Sequence, residues 1–413
     1  MSIYRYKENM TYCFLITMLL GTIITPSVFA KTDGTADETA TLNVVSKFSF
    51  VDREKFVERG QIEYTIPVKL TDNLSIGDAR EYGNLTNIVA YLNQIEKNNQ
   101  QFRIGKGVPN KQHKVNRKWA PKVVGNIDSI LIAKDGKLIL EEYFADAHID
   151  RPHYQMSITK SIMSHAIGKA IELGKISSED ASILKYLPEV DVRNIAVGAD
   201  QITIRDLLTM SSGIRYKPKD RKSRINKNNH AELYLSLTTP IPNSKTYKYD
   251  GANLDILSHI LYNTTGMKLS EFCDTYLFGP MGIKQYSFGK SVCGLEKAAA
   301  GMKLRSRDML KIGLMTAHQG QWNDKQILNS EWIKKATAIH TNHDQPHQYG
   351  YFWWSNTINV KGKTFRVRSA RGAGGQFIFM IPEIDLITVY TSYYATNKPI
   401  QDFANIIVPL FVK

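Results

Sequence analysis

The chain has 413 residues, 43% of them hydrophobic, three cysteines and a formal net charge of +14. That apolar share is ordinary for a globular protein and enough for one large domain with an appendage, or two lobes sharing a core. No stretch beyond the first thirty residues is long and apolar enough to span a membrane. No recognised nucleic-acid-binding motif accompanies the positive charge, so nucleic acid is not an expected partner.

In chain order, Arg5 and Lys7 precede an apolar run, Cys13–Leu20, followed by Pro26-Ser27-Val28-Phe29-Ala30. The run is short for a membrane anchor, and Val28 and Ala30 suit cleavage after Ala30. Residues 1–30 are therefore expected to be a cleaved signal peptide, giving a periplasmic or secreted protein. Export makes a Cys273–Cys293 disulfide feasible, but two free thiols fit the spacing equally well. Residues 31–125 read as an N-terminal extension. Ile62, Tyr64, Ile66 and Val68 alternate as in a short strand, and Ile88, Leu92 and Ile95 in Thr86–Asn98 recur as in a helix. Arg103, Lys106, Lys111, Lys114, Arg117, Lys118 and Lys122 then make a basic loop.

The main domain, 126–413, opens with two β-type runs, Ile127–Ala133 and Lys137–Phe144, joined by a tight turn at Lys134-Asp135-Gly136. A helix follows from Ser157 to near Gly174. Ile204–Met210 reads as a short helix closed by Ser211-Ser212-Gly213. A second basic loop holds Arg215, Lys217, Lys219, Arg221, Lys222, Arg224 and Lys227 against the single acid Asp220. A solvated surface accounts for such a loop; attraction of an anionic substrate is the sharper reading. Leu254–Asn263, Lys268–Leu277, Asp308–His318 and Glu331–Ala338 read as helices. Strand character returns in Tyr349–Trp354, Phe365–Arg368, Gln376–Ile381 and Leu386–Tyr390, and Ile400–Val412 closes the chain as a helix. The expected class is α+β: one antiparallel sheet built from both chain ends and flanked by helices, with a mostly helical second lobe at about 175–345.

The chemistry centres on Ser157-Ile158-Thr159-Lys160. Residues three apart share a helix face, so the Ser hydroxyl lies beside the Lys ammonium. A Ser hydroxyl is a poor nucleophile without an adjacent base. Lys serves as that base when burial or a neighbouring cation favours its neutral form. Ile158, Ile162, Met163, Ala166, Ile167, Ala170 and Ile171 make this helix broadly apolar and hence buried. The spacing alone is weak, because Ser182-Ile183-Leu184-Lys185 repeats it. That second pair reads as the end of a short helix, and Ser182→Ala is expected to leave activity intact.

Several further stretches, in order, resemble the serine hydrolases of the class C β-lactamase fold, with the related penicillin-binding proteins, esterases and 6-aminohexanoate-dimer hydrolases. They are Ile130–Lys137 with Glu141-Glu142-Tyr143, Ile204–Gly213, Met302–Gly313 with Arg307-Asp308, and Gly374–Ile378 before Pro382. The resemblance implies that Ser157 is the nucleophile and that Lys160 and Tyr249 handle protons. Gly251 stands where an Asn usually follows the Tyr. It also implies that the backbone N–H of Ala373, between Gly372 and Gly374, joins that of Ser157 as an oxyanion hole. The Lys-Thr-Gly triplet of true β-lactamases is replaced by Ala370-Arg371-Gly372. That departure favours an esterase or amidase over a β-lactamase, with a peptidoglycan D-alanyl peptidase as the alternative. The substrate would be a small or peptide-like ester or amide. A non-catalytic accessory protein is the reading from another class. No metal is implied, since the His residues are scattered, and no cofactor is implied either.

Overall fold

The computed structural model describes residues 60–83, 85–104, 126–144, 147–215, 229–242, 245–344, 347–393 and 398–413. The expected signal peptide lies outside these residues, as do both basic clusters apart from Arg103 and Arg215.

The first strands, β1 (Asn126–Lys134) and β2 (Lys137–Tyr143), form an antiparallel hairpin. Asp135 (φ 52°) and Gly136 (φ 73°) are both left-handed, the turn geometry that matches the twist of the strands it joins. Three short strands follow in the middle of the chain: β3 (His153–Tyr154), β4 (Tyr286–Phe288) and β5 (Met302–Leu304), paired in the order β3-β5-β4. A two-residue hairpin comprises β6 (Gln321–Trp322) and β7 (Lys325–Gln326). The last six are β8 (Thr341–Asp344), β9 (His347–Tyr349), β10 (Trp354–Val360), β11 (Lys363–Gly372), β12 (Gln376–Ile381) and β13 (Leu386–Tyr393). Among the described residues these six join the first hairpin in an eight-stranded sheet of order β2-β1-β13-β12-β11-β10-β9-β8. The first and last strands lie side by side, with Ile130 opposite Tyr390. The sheet is thus built from both chain ends, as expected.

The helices are α1 (Leu85–Ile104), α2 (Ile158–Glu172), α3 (Ile204–Leu208), α4 (His230–Leu237), α5 (Ala252–Thr265), α6 (Leu269–Cys273), α7 (Ser306–Ala317), α8 (Ser330–Thr337), α9 (Lys398–Asp402) and α10 (Val408–Phe411). A π-helical turn, Phe403–Ile407, joins the last two. The sheet separates two cores. On one face Ile88, Tyr91, Leu92 and Ile95 of α1 meet Phe377, Phe379 and Tyr390 of the sheet and Phe403 from the C-terminal helices. The extension therefore contributes to the same core as the last strands, and Tyr91 seals the contact by donating to Asp402 at 2.9 Å. On the other face lie α2, α5, α7 and the rest of the helical middle. Helix α7 approaches closely because Gly313 has no side chain: a Cβ there would meet Ile378 and Ile387 at 2.8 Å.

Arg307 of α7 is 1% exposed. It donates to both oxygens of Glu141 on β2 at 2.7 and 2.5 Å, to Asp72 at 3.1 Å and to the carbonyl of Val68 at 2.6 Å. Asp308, fully buried, accepts from Arg305 at 2.7 Å and faces Lys311 at 3.4 Å. The Arg307-Asp308 pair noted in the sequence therefore ties helix, sheet and extension together.

Three expectations are corrected. Tyr349–Trp354 is not one strand: β9 ends at Tyr349 and β10 begins at Trp354. Between them Phe352 is left-handed (φ 62°), and a Cβ on Gly350 would lie 2.4 Å from the carbonyl of Ala336. The aromatic run is buried as a turn against the end of α8, with Tyr351 N–H donating to the Ala336 carbonyl at 2.9 Å. The alternating residues Ile62–Val68 form no strand, and Ile62 pairs its backbone with the side chain of Asn93 on α1. Ser182 precedes a short 3-10 turn, Ile183–Tyr186, rather than closing a helix.

Candidate active site

The site begins where β3 runs into α2. Gln155 N–H donates to the Met302 carbonyl at 2.8 Å, which anchors the chain on β5. Met156 is then left-handed (φ 49°), a conformation that costs a non-glycine residue on the order of 1 kcal/mol. Thr159 holds this kink: its hydroxyl donates to the Met156 carbonyl at 2.6 Å and accepts from Met302 N–H at 3.3 Å. The kink leaves Ser157 as the N-cap of α2, partly exposed at the end of a buried helix.

Lys160 is 4% exposed, and its Nζ donates to Ser157 Oγ at 2.9 Å. It also donates to the carbonyl of Ala299. Its ammonium lies over the ring of Tyr249, 4.9 Å from the centroid. Among the described residues no carboxylate forms an ion pair with it. The structure thus brings Ser157, Lys160 and Tyr249 together from α2 and from the loop before α5.

That loop is held by the Ile204–Gly213 stretch. Met210 is left-handed (φ 59°). Its carbonyl accepts from Lys248 N–H at 2.7 Å and its sulfur from Asp250 N–H at 3.4 Å, so the residues on either side of Tyr249 are fixed. Arg215 reinforces the hold by donating to the Thr246 carbonyl at 3.3 Å, so one cation of the second basic loop is committed to structure. Burial pushes the Lys248 ammonium below its usual range, with Asp250 opposing and Arg215 adding to the shift. Tyr249 itself packs 6.0 Å from Trp354 and 6.3 Å from Tyr349, centroid to centroid.

Gly251 starts α5 and sits against Ala299, 3.5 Å from a built Cβ to the Ala299 methyl. Asn253 does not take the place of the usual Asn. It is buried, and its amide donates to the Asp250 carbonyl at 3.0 Å and to Met210 sulfur at 3.4 Å.

The far wall is the end of β11. Ala370 is buried at the head of the triplet, where a Lys is absent. Arg371 donates to Ser369 at 2.8 Å and to Asn356, and it stacks on Trp354 at 5.2 Å. A Cβ on Gly372 would lie 2.4 Å from the carbonyl of Gln155, two residues before Ser157. Ala373 follows in the turn, and Gly374 (φ 84°) and Gly375 (φ 93°) complete it in left-handed conformations. Gly372→Ala would force this strand and the Ser157 turn apart by roughly 1 Å, a displacement that costs on the order of a hundredfold in rate. The expected result is that loss in kcat/KM, and an unchanged rate would show that β11 does not line the reacting position.

Two contributors escaped sequence reasoning. Ala299 acts through its carbonyl, which leaves no side-chain signature. Trp354 lay inside an apolar run read as a single strand. Of the two readings of Cys273 and Cys293, the structure has the free thiols, Cys273 buried and Cys293 half-buried.

Comparison with known proteins identifies the family and the fold. The Beta-lactamase family model matches residues 127–406. The chain belongs to that family of serine hydrolases. It is 24% identical over 288 residues to the 6-aminohexanoate-dimer hydrolase of Paenarthrobacter ureafaciens, covering 64% of this chain and 72% of that protein. Its fold superposes on a class C beta lactamase from Rhodobacter sphaeroides with TM-score 0.53 and 17% identity, over 69% of this chain and 94% of the other. A second solved structure, EstCE1, a hydrolase with promiscuous acyltransferase activity, gives TM-score 0.56 and 16% identity over 72% and 96% of the two chains.

Proposed function

We propose that this protein is an exported serine hydrolase that cleaves an ester or amide bond through an acyl-enzyme on Ser157. The observation that carries the reading is the 2.9 Å contact between Ser157 Oγ and Lys160 Nζ at the start of a buried helix. In its neutral form Lys160 takes the Ser157 proton as Oγ attacks the carbonyl. Tyr249, against the same ammonium, relays the proton to the leaving group. The backbone N–H groups of Ser157 and Ala373 receive the oxyanion. Water then releases the acyl group by the reverse proton path. Apolar Ala370 at the head of the Gly-rich triplet supports an esterase or amidase rather than a β-lactamase, since no Lys there is available to hold a substrate carboxylate. The relative named as a 6-aminohexanoate-dimer hydrolase supports the same side.

A fluorophosphonate probe tests the nucleophile: the tagged peptide should contain Ser157, and a tag on another Ser would overturn the assignment. A panel of matched esters, linear amides, β-lactams and D-alanyl peptides then ranks the substrates, with β-lactam or D-alanyl preference counting against the reading. Tyr249→Phe should cost about a hundredfold or more in kcat, as expected for a lost proton relay. Near-complete activity in that variant would move the relay to another group. Export rests on the first thirty residues of the sequence, and the N-terminus of the extracytoplasmic protein should begin just after Ala30.

A further inference from the structure

A second cluster of nucleophilic and titratable side chains shares no residue with the Ser157 site. His230 begins α4 and His259 lies within α5; both are buried. Asp255, one turn before His259, lies 3.9 Å from Nδ1 of His230 and accepts from the Tyr234 hydroxyl at 2.8 Å. The carboxylate of Glu189 lies 3.5 Å from Nδ1 of His259. Each imidazole therefore has an acid on its Nδ1 side.

His230 reaches the loop that carries Cys293, its Nδ1 lying 3.4 Å from the Ser291 hydroxyl, and the imidazoles of His230 and His259 both stand as hydrogen-bonding neighbours of the Cys293 thiol. Nε2 of His259 is buried and has no other hydrogen-bond partner among the described residues. Cys293 occupies a tight loop closed by Ser291 N–H to the Leu295 carbonyl at 2.7 Å and Gly294 N–H to the Ser291 carbonyl at 3.1 Å. The loop leaves the thiol half-buried between exposed Val292 and Gly294. A thiolate is the nucleophilic form of cysteine, and imidazole donors favour it. Burial pushes the Cys293 thiol up, but His230, His259, the Leu295 backbone and Ser291 outweigh it and bring it down to about 5. Cys273 shows the opposite case: fully buried, with Glu296 and Asp274 nearby, its thiol is pushed well up.

We propose that Cys293 is a second nucleophilic site, a reactive thiolate that forms mixed disulfides with low-molecular-weight disulfides. Its Sγ attacks one sulfur of the disulfide, a new S–S bond forms, and the original S–S bond breaks. Cys293 is oxidised, and the departing sulfur leaves as a thiolate that takes a proton from water. The disulfide is the only oxidant required. The site stands whether or not Ser157 is catalytic.

The test is the rate of reaction of the folded full chain with dithiodipyridine, with the modified peptide mapped by mass. Among the described residues the titratable groups that face the thiol or its two imidazoles include His230, His259, Asp255, Glu189 and Tyr234. An ordinary thiol, titrating near 8.5, speeds up by nearly a hundredfold between about pH 6 and about pH 8. Cys293, already ionised, should change less than about twofold over that interval. At about pH 6 it should also react roughly tenfold faster than a simple thiol, because its much larger thiolate fraction outweighs its lower intrinsic nucleophilicity. Cys293→Ser should abolish the fast phase, and the double variant His230→Gln with His259→Gln should restore the steep pH dependence. A steep profile in the wild type, a fast label on Cys273, or a flat profile in the double variant would each overturn the proposal.

Discussion

Ser157→Ala is expected to abolish hydrolysis while leaving the thermal midpoint nearly unchanged. The hydroxyl sits at the partly exposed N-cap of α2 and makes no side-chain capping bond, so its removal opens no cavity and orphans no buried backbone group. Among the described residues its hydroxyl is hydrogen-bonded by Lys160 at 2.9 Å, and that Lys keeps the Ala299 carbonyl as a second acceptor. Loss of a catalytic nucleophile in an acyl-enzyme mechanism removes on the order of a millionfold in kcat. The measurement is turnover of a p-nitrophenyl ester together with a thermal melt on the same preparation. Retained turnover would sink the mechanism; lost turnover with a large fall in the midpoint would mean that Ser157 is needed for folding instead. Lys160→Met should remove most of the activity as well, through lost proton transfer. It will also disturb stability, because it leaves the Ala299 carbonyl without its donor.

Arg307→Ala should be the most destabilising single change outside the site. Arg307 is 1% exposed as a side chain and Glu141 is 5% exposed, so truncation leaves two carboxylates, Glu141 and Asp72, without their cation in a water-poor setting. Breaking a buried ion pair from one side costs about 3–5 kcal/mol. A chemical denaturation midpoint should fall accordingly, with no change in the slope against denaturant. The double variant Arg307→Met with Glu141→Leu should recover part of the loss, since a matched apolar pair leaves no charge stranded. A loss under about 1 kcal/mol for Arg307→Ala would show that water reaches the cluster and that the network does not hold the fold.

The chain itself determined most of the local chemistry. Short, nearly continuous apolar runs on either side of Asp135-Gly136 specify the first hairpin, because strands covered on both faces need apolar residues in succession and the turn needs two left-handed residues. The 3.6-residue apolar period of α2, interrupted by polar Ser157 and Lys160, specifies a buried helix with two functional groups on one face. Met210 and its Ser-Ser-Gly turn are legible as a helix end for the same local reason. Gly350 and Phe352 mark the limit of such reading: an apolar run of six residues is equally compatible with a strand and with a buried turn, and only the carbonyls of α8 decide between them.

What only the tertiary structure decided is which distant residues converge. Ala299 meets Lys160 through a backbone carbonyl, a group present at every position and therefore without any mark in the sequence. Gly372 has to be glycine because Gln155, more than two hundred residues earlier, places a carbonyl where a Cβ would stand. The Arg307-Asp308 pair reads in the sequence only as part of a stretch that carries the family resemblance, and burial and its partners on β2 and in the extension make it a structural tie. Cys293 is silent in the sequence because its imidazoles come from two separate helices, α4 and α5. Local pattern fixes which face of an element is buried, whereas long-range pairing sets which polar groups lose water together, and the electrostatics of a site depend on the second.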